Sequence, residues 1–217
     1  MVVIDSGNRV MGRNRSFDED EVLDRAVARF WAYGYTATSV RDLEKAMGMS
    51  SASFYNAFGD KRSLFKRSLQ RYLDQSSRRR VTLLDASTSP REAIETFLNA
   101  IVESSSRSRD GCLLVNSAAE VAAHDAELGE DVASGLREVE DALHRVLLRG
   151  QADGSISDSL DASVFAKAIL GTIVSIRVMS RTVSGAGYLK ALSDSQIAML
   201  APSPSRRAEA PATPTEG

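Results

Sequence analysis

The chain has 217 residues, 43% hydrophobic and 26% charged, ordinary for a globular protein able to bury a core. Its formal net charge is −2, but residues 1–80 hold 15 Lys and Arg against 10 Asp and Glu, while residues 81–217 hold 12 against 19. That is the pattern of a basic module joined to an acidic body, and a single cysteine, Cys112, with only His124 and His144 beside it, excludes an intrachain disulfide and a Cys/His zinc site of ordinary spacing.

A first helix opens at Ser16-Phe17-Asp18-Glu19-Asp20-Glu21. Ser16 or Asp18 caps it, and the acids suit the positive helix start. Leu23, Ala26, Val27 and Phe30 follow at i, i+3, i+4, i+7 as one buried stripe, and Gly34 ends it. A short second helix follows Thr38, with Val40, Leu43 and Met47 inward and Gly48 as its stop. Ser50 caps a third, with Met49 stapled against Phe54. Gly59-Asp60 closes it and caps a fourth, whose apolar face is Leu64, Phe65, Leu69 and Leu73.

After a polar break, Ser89-Pro90-Arg91-Glu92 reads as a capping box with Pro at the first helical position. It starts a fifth helix carrying Ile94, Phe97, Leu98 and Ile101. Gly111-Cys112 begins a sixth, to about 123. Asp125 caps a longer one, with Leu128, Val132, Leu136, Val139, Leu143 and Val146 inward, to about 150. Asp161 caps the next, stapled by Leu160 and Phe165 and running to about 184. Its Val164, Ala168, Ile169, Thr172, Ile173, Ile176 and Met179 spread over more than one side. A helix this apolar must be buried on several faces, which calls for a partner subunit. A last short helix covers 189–200.

Four of the five prolines fall at 202, 204, 211 and 214, in a tail rich in Ala, Ser, Thr and Glu. Such a tail buries too little to offset its ordering entropy, so 201–217 reads as disordered. No strand alternation and no 20–50-residue repeat is visible. The expected fold class is all-α. The expected organisation is a flexible basic arm (1–15), a helix-turn-helix domain (16–60), a helical ligand-binding and dimerisation domain (61–200) and the tail. No run approaches the roughly 18 uninterrupted apolar residues of a membrane span, and Met1-Val2-Val3-Ile4 is cut short by Asp5, too early for a signal-peptide core. A cytoplasmic chain with no membrane partner is expected. Met11 heads a basic stretch, and Met1 and Met11 both fit as the start.

Residues 38–58, two short helices joined at a Gly-containing turn, have the size of a helix-turn-helix, whose second helix lies in the DNA major groove. With Phe54 and Phe58 inward, Ser51, Ala52, Ser53, Tyr55 and Asn56 lie nearer the outer side. Small residues allow close approach to base edges; Ser hydroxyls and the Asn amide suit base or phosphate hydrogen bonds, Asn best with adenine. The same positions also fit an ordinary surface helix. Lys61 and Arg62 sit in the first turn of the fourth helix, where the dipole disfavours cations. An external phosphate shared with the helix N-terminus explains such a pair. Arg13 and Arg15 fit an arm entering the minor groove, or a solvated tail.

Two blocks carry a family resemblance: Phe30-Trp31-Ala32-Tyr33-Gly34-Tyr35-Thr36-Ala37-Thr38-Ser39-Val40, and Gly48-Met49-Ser50-Ser51-Ala52-Ser53-Phe54-Tyr55-Asn56-Ala57-Phe58-Gly59-Asp60-Lys61. Together they resemble the DNA-binding domain of the TetR family of bacterial repressors, over about 16–75. The resemblance implies a homodimer on a palindromic double-stranded operator, built by the last two long helices as a four-helix bundle, with a small-molecule effector in the larger domain. It implies phosphate contacts from Thr38, Tyr55 and Lys61, with the residues after Ser50 reading bases; Ser39 and Ser50 are further DNA-binding candidates. Many members carry Lys-Gly or similar after the start of the third helix. This chain has Ser51-Ala52, so no relative's operator transfers to it.

For the effector pocket, Phe97, Ile101, Leu143, Phe165 and Ile169 are candidates, though each also reads as plain core. Asn116, Thr172 and Arg177 are polar groups in apolar helical stretches, suited to orient a ligand or to satisfy a neighbouring group. The run Gly111-Cys112-Leu113-Leu114-Val115-Asn116 resembles a family subgroup, some of whose members sense electrophiles or oxidants by cysteine. Cys112 therefore reads either as a redox or electrophile sensor or as an inert small hydrophobe. A DNA-binding dimer without ligand response stays open. No Gly-rich phosphate loop, metal-spaced Asp/Glu/His cluster or nucleophile–base pair stands out, so no enzyme activity, cofactor or metal is expected.

Overall fold

The computed structural model describes residues 18–182 and 185–202, and there every regular element is helical. The helices are α1 (Glu19–Tyr33), α2 (Val40–Met47), α3 (Ser51–Phe58), α4 (Lys61–Tyr72), α5 (Arg79–Ala86), α6 (Pro90–Arg107), α7 (Leu113–Glu120), α8 (Ala126–Ala152), α9 (Ala162–Met179) and α10 (Ala186–Met199). Arg13, Arg15, Ser16 and the tail beyond residue 202 lie outside the described residues.

Most helix starts are made by short polar side chains taking orphan backbone N–H groups. Asp18 accepts from Asp20 and Glu21, Ser50 from Ser53, Asp60 from Ser63, Asp125 from Leu128, and Asp161 from Val164. Ser39 and Asp42 form a reciprocal capping box. Ser89 does not: its side chain accepts no capping bond, and Pro90 alone sets the start of α6.

Two further expectations are corrected. The polar stretch after α4 is not a break, because the chain stays helical from Lys61 to Ala86 through one wider π-type turn, Leu73–Arg78. Two of its charges are met by α8: Arg78 reaches Glu138 at 2.8 Å through two nitrogens, and Arg145 reaches Asp85 at 2.6 Å. The second correction is that α9 ends at Met179, well short of 184.

Two apolar cores result. The first joins α1–α4 to α7 and the start of α8; Phe30, Leu43, Phe54, Leu64 and Leu69 are fully buried in it, and Leu113, Leu114 and Leu128 enter from the other half. The second gathers α5, α6, α8, α9 and α10 around Leu98, Leu143, Val146 and Ile169. The N-terminal helices therefore share a core with the body. In packing, α4 belongs to the first module, although 61 was the expected boundary.

Candidate nucleic-acid interface and internal cavity

Helix α3 is held from beneath by Phe54 and Phe58 and presents its other side outward. Ser51, Ala52, Tyr55 and Asn56 are exposed, and Ser53 is half-exposed. The turn before it uses Gly48 in the left-handed conformation (φ 68°), a geometry that side chains with a Cβ rarely adopt.

Three expected DNA contacts have partners within the chain. Thr38 is fully buried and donates its hydroxyl to the Gly34 carbonyl at 2.6 Å. Ser39 stays exposed, but its hydroxyl donates to Asp42 at 2.7 Å. Lys61 donates to the carbonyls of Tyr35 and Thr38 at 3.0 and 3.1 Å, with its ammonium 4.3 Å from the centre of the Tyr35 ring. Arg62 clasps Asp125 at 2.6 and 2.9 Å and Glu127 at 2.8 Å. The cations opening α4 thus answer internal oxygens, and no outside anion is needed to explain them.

Spacing missed two residues that now stand out. Arg41 and Lys45, four apart on α2, are both exposed, and neither forms a salt bridge among the described residues. In a helix-turn-helix the first of the two helices crosses the phosphate backbone, and α2 holds that place in chain order. The i, i+4 repeat was the available signal.

Several contacts tie this module to the body. Glu120, at the end of α7, accepts from the backbone N–H of Tyr35 at 3.0 Å and Thr36 at 2.6 Å. Gly34 makes room for that grip: a Cβ there would sit 2.7 Å from the carboxylate, at a φ of +81°. Trp31 donates its indole N–H to the Asp110 carbonyl at 3.1 Å. The Arg62 and Lys66 head groups bridge α4 to α8 through Asp125, Glu127 and Asp131.

These ion pairs fix a pH response. Hydrogen bonds from Arg62 hold Asp125 well below the ordinary carboxylate range, and Lys66 with Arg62 does the same for Glu127. Arg71 lowers Asp24. A carboxylate with a depressed folded pKa stabilises the fold above its unfolded value, about 4, and that contribution is lost as pH falls through the folded value. Thermal melts should therefore be flat above about pH 5 and fall below pH 4. Arg62→Gln should make the acid limb shallower; an unchanged limb would remove the bridge from this account.

Between α4, α5, α6, α7, α8 and α9 lies a cavity of about 40 Å³. Four of the nine expected pocket residues line it: Phe97, Ile101, Cys112 and Arg177. Leu143, Phe165 and Ile169 are core residues away from it. Thr172 bonds its own helix at Ala168, and Asn116 turns to the Asp110 carbonyl beside a separate surface cleft. Sequence reasoning missed Tyr72, Arg80 and Ile173. Tyr72 is buried; its hydroxyl donates to the Cys112 Sγ at 3.2 Å and its ring meets Trp31 edge-on at 5.1 Å. Burial, with the neighbouring thiol, pushes its phenol above its ordinary pKa, so it stays a donor at neutral pH. Cys112 caps α7 by position but makes no side-chain capping bond, and it is half-buried.

Residues 22–67 match the family model described as bacterial regulatory proteins, tetR family, and residues 90–194 match that of the tetracyclin repressor-like C-terminal domain. An uncharacterised HTH-type transcriptional regulator of Bacillus subtilis, YezE, is 30% identical over 193 residues, 88% of this chain and 100% of that protein. The Escherichia coli HTH-type transcriptional repressor ComR is 28% identical, over 78% of this chain and 82% of its own. Among solved structures, a cysteine variant of the TetR-family regulator CifR, complexed with 26 bp double-strand operator DNA, superposes with a TM-score of 0.77. It is 28% identical and covers 86% of this chain and 98% of that one.

Proposed function

This chain belongs to the TetR family of bacterial regulators, and from that premise we propose that it is a transcriptional repressor. It acts in the cytoplasm as a homodimer on a palindromic operator and lets go when a small molecule occupies the body. The observation that carries this reading is α3: a short helix anchored by Phe54 and Phe58, with Ser51, Ala52, Tyr55 and Asn56 free on its outer side. On this reading Ser50, Ser51, Ala52, Ser53 and Asn56 meet base edges or their flanking phosphates. Tyr55, Arg41 and Lys45 meet phosphates. Arg13 and Arg15 are proposed to follow as an arm.

Dimerisation fits α9. Val164, Ala168, Gly171, Ser175 and Val178 form an exposed stripe at alternating spacings of four and three. Val164 is 63% and Val178 47% exposed. The 18 residues of α9 have a mean hydropathy of 1.6, yet only 39% of them are buried within one chain. A surplus of this kind on one helix face is what a second subunit covers.

Release is an equilibrium between operator-competent and incompetent arrangements, shifted by whichever one the effector binds better. The route runs from the cavity through Tyr72 to Trp31, and through α7 to Glu120 and the turn before α2.

Selection of genomic fragments by the purified protein tests the whole reading: a palindromic site is expected, and the absence of any enriched site would overturn it. On the selected site, Asn56→Ala should relax base preference by roughly 1–3 kcal/mol at one position. Arg41→Ala should instead weaken all sites alike and lower the salt slope by about one. Gel shifts on operator variants across salt distinguish the two.

A further inference from the structure

We propose that the cavity beneath α9 is the receptor site for an amphipathic monocarboxylate, with the Arg177 guanidinium as its counterion. This deepens the ligand-responsive reading and rests on it.

Arg177 is 6% exposed and lines the cavity. Its one hydrogen bond among the described residues runs from Nη1 to the neutral Ser105 hydroxyl at 3.0 Å. No carboxylate among the described residues forms a salt bridge with it. Buried charges are ordinarily paired, because desolvation costs several kcal/mol. Burial holds the Arg177 guanidinium below its ordinary pKa against the opposing pull of Cys112 and Tyr72, and Arg80, which lines the same cavity, adds its repulsion to the effect of burial. Among the described residues Arg80 forms no salt bridge and donates a hydrogen bond to the Ser76 hydroxyl at 2.7 Å. Two arginines thus share one space that no acid lines. A planar guanidinium in that setting matches a carboxylate bidentately.

The remaining walls give the rest of the ligand its character. Phe97, Ile101, Val139 and Ile173 are apolar, so the anion should carry a hydrocarbon or aromatic body. At about 40 Å³ the space holds a carboxylate head but no such body, since sites for small organic ligands run to roughly 300–1,000 Å³. Occupancy therefore requires α4, α7 or α9 to yield. The wall that yields at Tyr72 is the one whose ring bears on Trp31. An undersized, positively charged cavity is thus a reason for binding to be coupled to displacement and not to a preformed fit.

The test uses the full chain with octanoate and phenylacetate against octanamide and phenylacetamide. Trp31, the single tryptophan, reports binding by fluorescence, and calorimetry confirms it. The carboxylates should bind at least roughly tenfold more tightly than their amides, and R177M should erase that gap while R177K keeps part of it. Should R177M fail to fold, R177Q supplies the neutral variant. Equal binding of acid and amide, a gap that survives both neutral variants, or no binding by either carboxylate would overturn the assignment. Operator gel shifts keep the two readings apart. Carboxylates that bind through Arg177 yet leave the operator complex intact would support the cavity and sink the ligand response. A compound that frees the operator from R177M as readily as from the wild type would uphold the response and overturn the anion site.

Discussion

Replacing Lys61 with Met is expected to lower stability by about 2 kcal/mol and operator affinity by roughly tenfold or more. The ammonium holds two carbonyls, at Tyr35 and Thr38, and lies over the Tyr35 ring. Charge-assisted hydrogen bonds contribute about 1.5–3 kcal/mol each where water is excluded, and less at a half-buried site such as this one. Those carbonyls belong to the turn that orients α2, and α2 orients α3. Without the clamp the recognition helix loses its aim, and base contacts are lost with phosphate contacts. Tyr55→Ala is the control, because Tyr55 is 53% exposed and makes only an edge contact with Phe54. It should cut operator binding while shifting stability by no more than about 0.5 kcal/mol. Chemical denaturation and gel shifts on both variants check the pair. A Lys61→Met protein of wild-type stability that still loses operator would return Lys61 to direct phosphate contact.

What could be read from the sequence follows the range of each interaction. Caps at Asp18, Ser39, Ser50, Asp60, Asp125 and Asp161 act over two or three residues, so spacing alone locates them. The stripes of α1, α4 and α8 were equally local. The internal partners of Lys61 were out of reach of local spacing because they lie 26 and 23 residues upstream, as was that of Arg62, 63 downstream. Helix α5 escaped for the same reason. Its polar stretch looks like a break until Arg149 of α8 donates to the Leu84 and Asp85 carbonyls. The cavity was least legible, since its wall is assembled from six helices and only the buried Arg177 carried a local sign. That sign was an arginine placed among Ile173, Ile176 and Met179.

Gly171→Arg should leave the chain folded and yet reduce operator affinity by roughly 10²- to 10⁴-fold. Gly171 lies at the middle of the exposed α9 stripe, and a Cβ built there meets nothing within 4 Å. Within one chain the substitution has open space. It should even favour the helix by about 0.5–1 kcal/mol, because glycine is a poor helix former. In a bundle built on this stripe, small residues at Ala168, Gly171 and Ser175 are what let two helices approach closely, and an arginine there props them apart. Operator affinity would then fall to that of one half-site, without the effective concentration that a linked second module supplies. Sedimentation should give a monomer, helicity and melting should be no lower than in the wild type measured at low concentration, and half-site binding should survive. If Gly171→Arg remains a dimer with full operator affinity, the partner meets another surface. A loss of helicity would instead mean that the face serves the single chain.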